Sequence, residues 1–280
     1  MLSRIPEEYI KKFEQDNKIG LLATRDHEGY PHLTLISSLQ ARNDRELIWG
    51  QFSEGMSKKN VLENPKTGFL ILNFDKEMWR GKVVWTHMES VGPEFDIFNE
   101  KPLFRYNSYF GIGKAHYMDL VEISNKAVLN MLSIGTGAVL SKLVKPAYRR
   151  NDIGRILKPF AEKIFNKFDS LKFISYIDSD GFPVIIPIIQ AQSADSGRIV
   201  FSLKPYGSEL RNIPEGTNAA IFCTTMNLEF VLVKGSFKGV RKLGGIHTGV
   251  LDIEKVYNSM IPRSGYIYPR EELKAVTEFK

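Results

Sequence analysis

The sequence predicts a mainly β protein with some α (α+β), built as two small antiparallel β-barrels in tandem that a helical connector joins. Short β-rich apolar segments alternate with turn signals at close spacing, which is typical of small antiparallel barrels. This pattern recurs along the 280-residue chain at an offset of 152, and a basic amphipathic stretch separates the two copies. We therefore expect a first barrel over 1–125, a connector over 126–169 and a second barrel over 170–280.

Each copy begins with the same hairpin pattern. Residues 19–31 read IGLLATRDHEGYP, and residues 171–183 read LKFISYIDSDGFP. Both contain an apolar strand, a turn of the form D-x-[DE]-G-[YF]-P and the start of a second strand, because Gly accepts positive φ and Pro opens a strand where no donor is needed. The offset of 152 persists at four further places and favours duplication over chance: 47–49 with 199–201, Gly55 with Gly207, 59–61 with 211–213, and 69–71 with 221–223.

The first copy contains an aromatic-rich insertion. Residues 120–123 (LVEI) resemble 250–253 (VLDI) at an offset of 130, so the first copy has about 22 extra residues (152 minus 130). We place this insertion at about 86–114.

The connector is expected to be helical and basic. Residues 133–145 have apolar residues at helical spacing, and Asn151 or Asp152 is expected to cap a second helix that reaches Phe168. Nine basic against three acidic residues in 142–172 account for the whole net charge of +6. The rest of the chain is neutral, which disfavours a nucleic-acid partner. We expect a solvated basic face, with a membrane or an anionic partner as the alternative.

The composition excludes other classes of protein. No run of about 18 uncharged apolar residues indicates a membrane span, and the first residues lack the apolar core of a signal peptide. Cys223 is the single cysteine, which excludes an internal disulfide and a cysteine-cluster metal site. The five histidines lack the spacing of a metal pair, so no metal is expected. These features favour a cytoplasmic protein that binds neither nucleic acid nor a membrane.

Several segments of the first copy carry a family resemblance. They read GLLAT (20–24), DHEGYPH (26–32), LTLIS (33–37), LIW (47–49) and SKKNVLENP (57–65), the last being the most distinctive. Together they resemble the pyridoxamine 5′-phosphate oxidase-like family of FMN-binding split barrels. The resemblance implies Greek-key split β-barrels that pair around FMN, in a groove formed within one chain or between the two chains of a homodimer. It extends over about 15–85, and more faintly over 170–240.

The loop after the third strand is the expected phosphate site. A phosphate needs fixed cations and hydroxyl or amide donors, and one short loop supplies Gln51, Ser53, Ser57, Lys58 and Lys59. Adjacent lysines point in different directions, so at most one is expected to meet the phosphate. A compatible interpretation makes Ser57 the N-cap of a helix, since a helix N-terminus is itself an anion site.

The family pattern adds further residues around the flavin. It implies contacts from the second strand and from the strand that carries Trp79 and Arg80; the second-strand residues are Thr34, Leu35, Ile36 and Ser37. In the second copy Glu209 stands at the position of Ser57 and would repel a phosphate, so we expect one FMN per chain.

The expected function is that of an FMN-dependent oxidoreductase acting on a small-molecule substrate, with NAD(P)H or another electron donor. The flavin performs the redox step, so no protein nucleophile is required. The substrate-side candidates are His32, His87, Arg105, Tyr106, Tyr109 and His116. A non-catalytic flavin- or haem-binding module is the alternative.

Overall fold

The chain folds into two antiparallel sheets with few helices, which confirms the predicted fold class. The computed structural model describes residues 1–100, 111–151, 154–227, 229–258 and 265–269. Two compact units result: the first contains 1–28, 32–129 and 178–185, and the second contains 29–31, 130–177 and 186–280. The connector helices lie in the second unit.

The first sheet has eight strands in the order β2-β1-β5-β6-β7-β4-β3, with β8 beside β6. Its strands are β1 (Lys18–Arg25), β2 (Pro31–Leu35), β3 (Gln40–Ala41), β4 (Glu46–Gln51), β5 (Lys66–Asn73), β6 (Glu77–Glu89), β7 (Lys114–Ile123) and β8 (Ala127–Val128). The accompanying helices are α1 (Glu7–Phe13), α2 (Met56–Glu63) and α3 (Pro93–Glu100).

The second sheet repeats this strand order, as β10-β9-β13-β14-β15-β12-β11, with β16 beside β15. Its strands are β9 (Leu171–Ile177), β10 (Pro183–Pro187), β11 (Gln192–Asp195), β12 (Arg198–Ser202), β13 (Asn218–Thr224), β14 (Phe230–Leu243), β15 (Ile246–Asn258) and β16 (Gly265–Tyr268). The helices are α4 (Met131–Val144), which a 3₁₀ turn (Lys145–Tyr148) follows, α5 (Pro159–Asn166) and α6 (Gly207–Arg211). Equal strand order in both sheets is the architecture expected of a tandem split-barrel protein.

The hairpin turns behave as the repeat predicts. Gly29 has φ of 85° and Gly181 has φ of 84°, the left-handed region that glycine enters without steric cost. Strand β2 begins at Pro31 and β10 begins at Pro183, the two prolines that the repeat aligns. The offset found in the sequence is therefore the offset of the folded elements.

The late strand recurs at a different offset from the one that the sequence pattern indicated. Glu46 pairs with Asp119 in the first sheet and Arg198 pairs with Asp252 in the second, so the aligned residues differ by 133 (252 minus 119), not 130. The insertion in the first copy is shorter than expected by the same difference. The two matched segments, LVEI and VLDI, share an apolar-apolar-acidic-apolar order, and only the hydrogen-bond register shows that they are not equivalent.

The connector also differs from its prediction. Helix α4 is capped by Asn130, whose side chain accepts a hydrogen bond from the Ser133 amide at 2.9 Å. The next helix, α5, begins at Pro159 and not beside Asn151, whereas Asp152, the other predicted cap, lies outside the described residues. Gly154 disfavours helix, whereas a proline is well suited to the first helical position, so the helix starts after the glycine.

The first sheet packs on both of its faces. On one face, the Trp79 ring contacts Tyr9 and Phe13 of α1, with ring centroids 5.3 and 5.2 Å apart. On the other, Phe98 of α3 is buried with Ile48 of β4. The β4–α2 junction lies at the end of a strand that is buried on both faces, which fixes its position.

Candidate functional site

The N-terminus of α2 is a candidate anion site. The helix begins after Gly55 with no side-chain cap and no acidic residue in its first turn. The Lys58 amine turns back toward this end and lies 3.8 Å from where a Cβ on Gly55 would stand. Unbonded amide groups and the helix dipole attract anions at such a terminus, and the amine adds a full positive charge.

Lys58 lacks an ion-pair partner among the described residues. Its amine lies 5.7 Å from the centre of the Trp49 ring, on the ring face, where a cation is stabilised. Burial lowers the pKa of Lys58, and Glu54 acts in the opposite direction. A half-buried cation of this kind gains most from an anionic ligand.

Two polar contacts fix the buried side of α2. Ser57 is buried, and its hydroxyl shares a short hydrogen bond with the Thr34 hydroxyl of β2. The Asn60 side chain donates to the Thr24 hydroxyl at 2.9 Å, and that hydroxyl donates to the His32 carbonyl at 3.4 Å. These bonds hold the helix against β1 and β2. Ser57 lies inside the helix and is not its N-cap, because Gly55 occupies that position.

A chain of hydrogen bonds runs from β6 to the segment before α2. The Trp85 indole donates to His116 Nδ1 at 3.1 Å, so in the neutral ring the proton is on Nε2. His116 Nε2 then donates to Gln51 Oε1 at 2.8 Å, and the Gln51 amide donates to Glu54 Oε1 at 2.9 Å. We call Trp85, His116, Gln51 and Glu54 the relay.

The His116 ring is held neutral. Burial lowers its pKa to about 3, and the positive charges of Lys58 and Lys114 act in the same direction. The ring stacks on Trp49 with centroids 3.8 Å apart and planes 7° apart. His116 therefore contacts the Trp49 ring, over which the Lys58 amine lies.

His87 and His116 lie on opposite faces of the sheet. His87 is exposed and stacks on Tyr117 at 4.3 Å, and neighbouring residues of a strand point to opposite faces. Burial and the carboxylates of Glu94 and Glu89 raise the pKa of Tyr117 to about 12. The two predicted substrate-side histidines are thus not brought together.

The other predicted residues have diverse positions. His32, Ile36 and Trp79 are buried, Leu35 and Ser37 are half-buried, and Ser53 and Lys59 are exposed. The Arg80 guanidinium donates to the Ile185 carbonyl at 3.0 Å within the first unit. Arg105, Tyr106 and Tyr109 lie outside the described residues. The structure therefore brings together Gln51, Ser57, Lys58, Thr34 and His116 at the β4–α2 junction.

Sequence reasoning missed Trp49 and Trp85 as parts of this site. The corrected offset supplies a signal for the histidine that both tryptophans contact. At an offset of 133, His116 aligns with Gly249, whereas the offset of 130 aligns it with Ile246. The correct alignment shows a buried polar residue replaced by glycine, which marks a local difference between the copies.

The second unit has a different helix at the matching position. Leu210 of α6 is fully buried where the first copy has Lys58, and Glu209 stands in the first turn. Arg211 donates to the Gly207 carbonyl of its own helix at 3.4 Å. A short helix with an acidic first turn is a poor anion site.

Comparisons with known proteins report distant similarity. No protein-family model matches the chain, and no curated protein matches it. One similar solved structure is an FMN-binding protein from Syntrophomonas wolfei, with 19% identity and a TM-score of 0.34, covering 39% of this chain and 77% of that chain. An F420 reductase has 15% identity and a TM-score of 0.34, covering 43% and 98%. The haem storage protein HutZ from Vibrio cholerae has 17% identity and a TM-score of 0.33, covering 44% and 95%.

Two kinds of feature are absent from the described part of the chain. None of its helices is long and apolar enough to cross a membrane. It also contains no group of three or more His, Cys, Asp or Glu side chains arranged to hold a metal ion.

Proposed function

We propose that the first unit binds the phosphate of FMN at the N-terminus of α2, and that the protein is a flavin-dependent oxidoreductase of small molecules. The observation that carries this proposal is the Lys58 amine, which is half-buried beside an uncapped helix N-terminus and makes no ion pair with the part of the chain that the structure describes. A fixed cation and several backbone donors are the groups that a phosphomonoester requires.

The residues at the junction fit a phosphorylated ligand. Lys58 would neutralise part of the phosphate charge, and the first-turn amides of α2 would donate to its oxygens. Thr34 and Ser57 would hold the helix in place through their shared hydrogen bond. Leu35 and Ser37 follow Thr34 in the chain and are half-buried, and the flavin ring would lie beside them. When bound, the flavin would supply the electron transfer, with NAD(P)H as the proposed electron donor.

Haem is the alternative ligand, and the experiment must distinguish it from flavin. Both nitrogens of the His116 ring are engaged, by Trp85 and by Gln51, so this histidine is not free to bind iron. A visible absorbance spectrum of the purified protein, recorded alone and after incubation with FMN or haem, separates the two ligands. Flavin bands support the proposal, whereas a Soret band with no flavin binding contradicts it.

The first testable prediction concerns Lys58. Replacing Lys58 by Ala should weaken FMN binding about tenfold or more, because a charge-assisted hydrogen bond contributes about 1.5–3 kcal/mol. Binding of riboflavin, which lacks the phosphate, should change little. Titration with either flavin, followed by fluorescence, gives both dissociation constants.

Lys59→Ala is the matched control, since it removes the same charge from the exposed neighbouring side chain. Its effect on FMN binding should be clearly smaller. Equal losses in the two variants would show a general charge effect and would contradict a phosphate contact at Lys58.

A further inference from the structure

The segment between β4 and α2 determines where the helix N-terminus lies. This segment, residues 51–55, begins with the last residue of β4 and ends at the N-cap of α2. Ser53 and Glu54 in its middle are exposed. A segment with an exposed middle has many accessible conformations, so something must hold it if a preorganised anion site is to form.

The relay supplies that restraint from within the sheet. Gln51 accepts from His116 and donates to Glu54, so the buried ring is linked to the middle of the segment. The Gln51 carbonyl also accepts from the Gly113 amide at 2.9 Å. Because Trp85 occupies Nδ1, only Nε2 of the neutral ring can donate, and this fixes which way the Gln51 amide is turned.

The same histidine ring supports the cation of the site. His116 lies flat on one face of Trp49, and the Lys58 amine lies over the Trp49 ring. His116 therefore contacts both Gln51, which precedes the helix, and Trp49, whose ring lies under the Lys58 amine.

We propose that His116 is the positioning residue of the anion site: it orients the 51–55 segment through Gln51 and the Lys58 amine through Trp49. This inference rests on the proposed function and names the residue that prepares the site for a phosphate. The second unit supports it, because Gly249 replaces His116 and Leu210 replaces Lys58 in the same copy. The cation and its support are both present in one unit and both missing from the other.

The test is the variant His116→Phe, which keeps an aromatic ring and removes both nitrogen contacts. FMN binding should weaken about tenfold, the lower end of the range for residues that orient metal ligands through hydrogen bonds. Riboflavin binding should stay within twofold of the wild type, because the positioning acts on the phosphate. His247→Phe is the matched control, since it makes the same change on the equivalent strand β15 of the second unit. It should alter neither affinity.

A second variant covers the case in which His116→Phe does not fold. Trp85→Phe removes the donor that fixes the histidine tautomer and keeps an aromatic ring against the core, and Trp85 is half-buried, so this variant should fold. Ring-nitrogen NMR of the wild type should show a protonated Nε2 and an unprotonated Nδ1 on His116. In Trp85→Phe that pattern should be lost, and FMN affinity should fall with riboflavin affinity unchanged.

The outcomes separate the two proposals. If the wild type binds FMN no better than riboflavin, the phosphate site itself is refuted. If the wild type prefers FMN and both variants keep that preference, the phosphate site stands and the role of His116 is overturned. Equal losses for FMN and riboflavin would also overturn it, because they would indicate a purely structural residue.

Discussion

The two units share the same strand order and differ in the side chains that they bury between β4 and β7 of the first sheet and between β12 and β15 of the second. Both sheets shift register at equivalent places, between Lys82 and Val83 and between Lys234 and Gly235, which the offset of the duplication aligns. Bulges of this kind bend a strand and are part of a fold's design. Agreement at such irregular positions shows that the units are the same fold in detail.

The difference lies in the buried aromatic residues. In the first unit, Trp49 and His116 stack, and Trp85 donates to the histidine. In the second, Phe201 takes the place of Trp49, and a Cβ added to Gly249 would stand 2.4 Å from the Phe201 ring. The second unit therefore fills the equivalent place with the apolar Phe201 ring, which packs against the backbone of Gly249.

This comparison separates folding from function. Burying a polar network costs desolvation energy, and the second unit shows that the same strand order forms without it. The polar relay of the first unit is then not a requirement of the scaffold. Its placement beside Lys58 is what makes the first unit the candidate site.

The largest expected effect comes from exchanging the residues at the Lys58 position. Leu210→Lys should destabilise the protein by about 3–5 kcal/mol, because it buries an unpaired charge. Lys58→Leu should change stability by less than about 1 kcal/mol, since the half-buried amine already bears a desolvation cost. Urea unfolding of both variants measures the difference. Similar losses of stability in the two variants would mean that the surroundings of Leu210 and Lys58 do not differ in polarity.

A smaller effect is expected at Gly249. Adding a Cβ there forces the Phe201 ring to move, so Gly249→Ala should cost about 1–3 kcal/mol. Gly135→Ala is the control: Gly135 lies within α4 and its Cβ would meet nothing within 4 Å, so this change should stabilise by about 0.5–1 kcal/mol. Thermal unfolding with opposite signs for the two variants would sharpen the comparison. A neutral Gly249→Ala would show that the second unit has room for a side chain at this position.

The smallest expected effect concerns a buried lysine of the second unit. Lys172 stands at the position of Gly20, and its amine donates to the carbonyls of Lys167 and Ile189 at 2.9 and 3.0 Å. Burial lowers the pKa of Lys172 to about 8, so above this pH the folded state loses a proton that the unfolded state still binds. Stability should therefore rise above about pH 8, by on the order of 1 kcal/mol over the first pH unit.

The variant Lys172→Met isolates this contribution. Below about pH 8 the stability difference between wild type and variant should be constant, because Lys172 is then protonated in both states. Above that pH the difference should move in favour of the wild type. Urea midpoints at three pH values measure it, and a difference independent of pH would show that Lys172 keeps an ordinary affinity for protons.

Much of the fold was predictable because local chemistry specifies it. The turns at Gly29 and Gly181 need a residue that accepts positive φ followed by a proline that opens a strand, and both features can be read from residue types. The late strand was matched in the wrong register because a four-residue motif of apolar and acidic residues occurs in both copies at positions that are not equivalent. The helix at Pro159 was started too early because the apolar spacing continues through Gly154, where the backbone does not follow it.

The candidate site was predictable in composition and not in arrangement. A loop with Ser57, Lys58 and Lys59 indicates an anion ligand, yet the sequence does not show that one lysine turns inward and the other to solvent. The contact between Lys58 and the Trp49 ring joins residues of different elements. The stacking of His116 joins strands that are far apart along the chain.

The sequence by itself determined the duplication, the strand order within each hairpin and the residue types at the β4–α2 junction, since each of these depends on neighbours along the chain. Only the tertiary structure decided that His116 is neutral and bonded at both nitrogens, and that Gly249 faces an aromatic ring. The physical reason is that burial and hydrogen-bond partners are set by pairing between strands that are distant in the chain, such as those that carry His116 and Gln51.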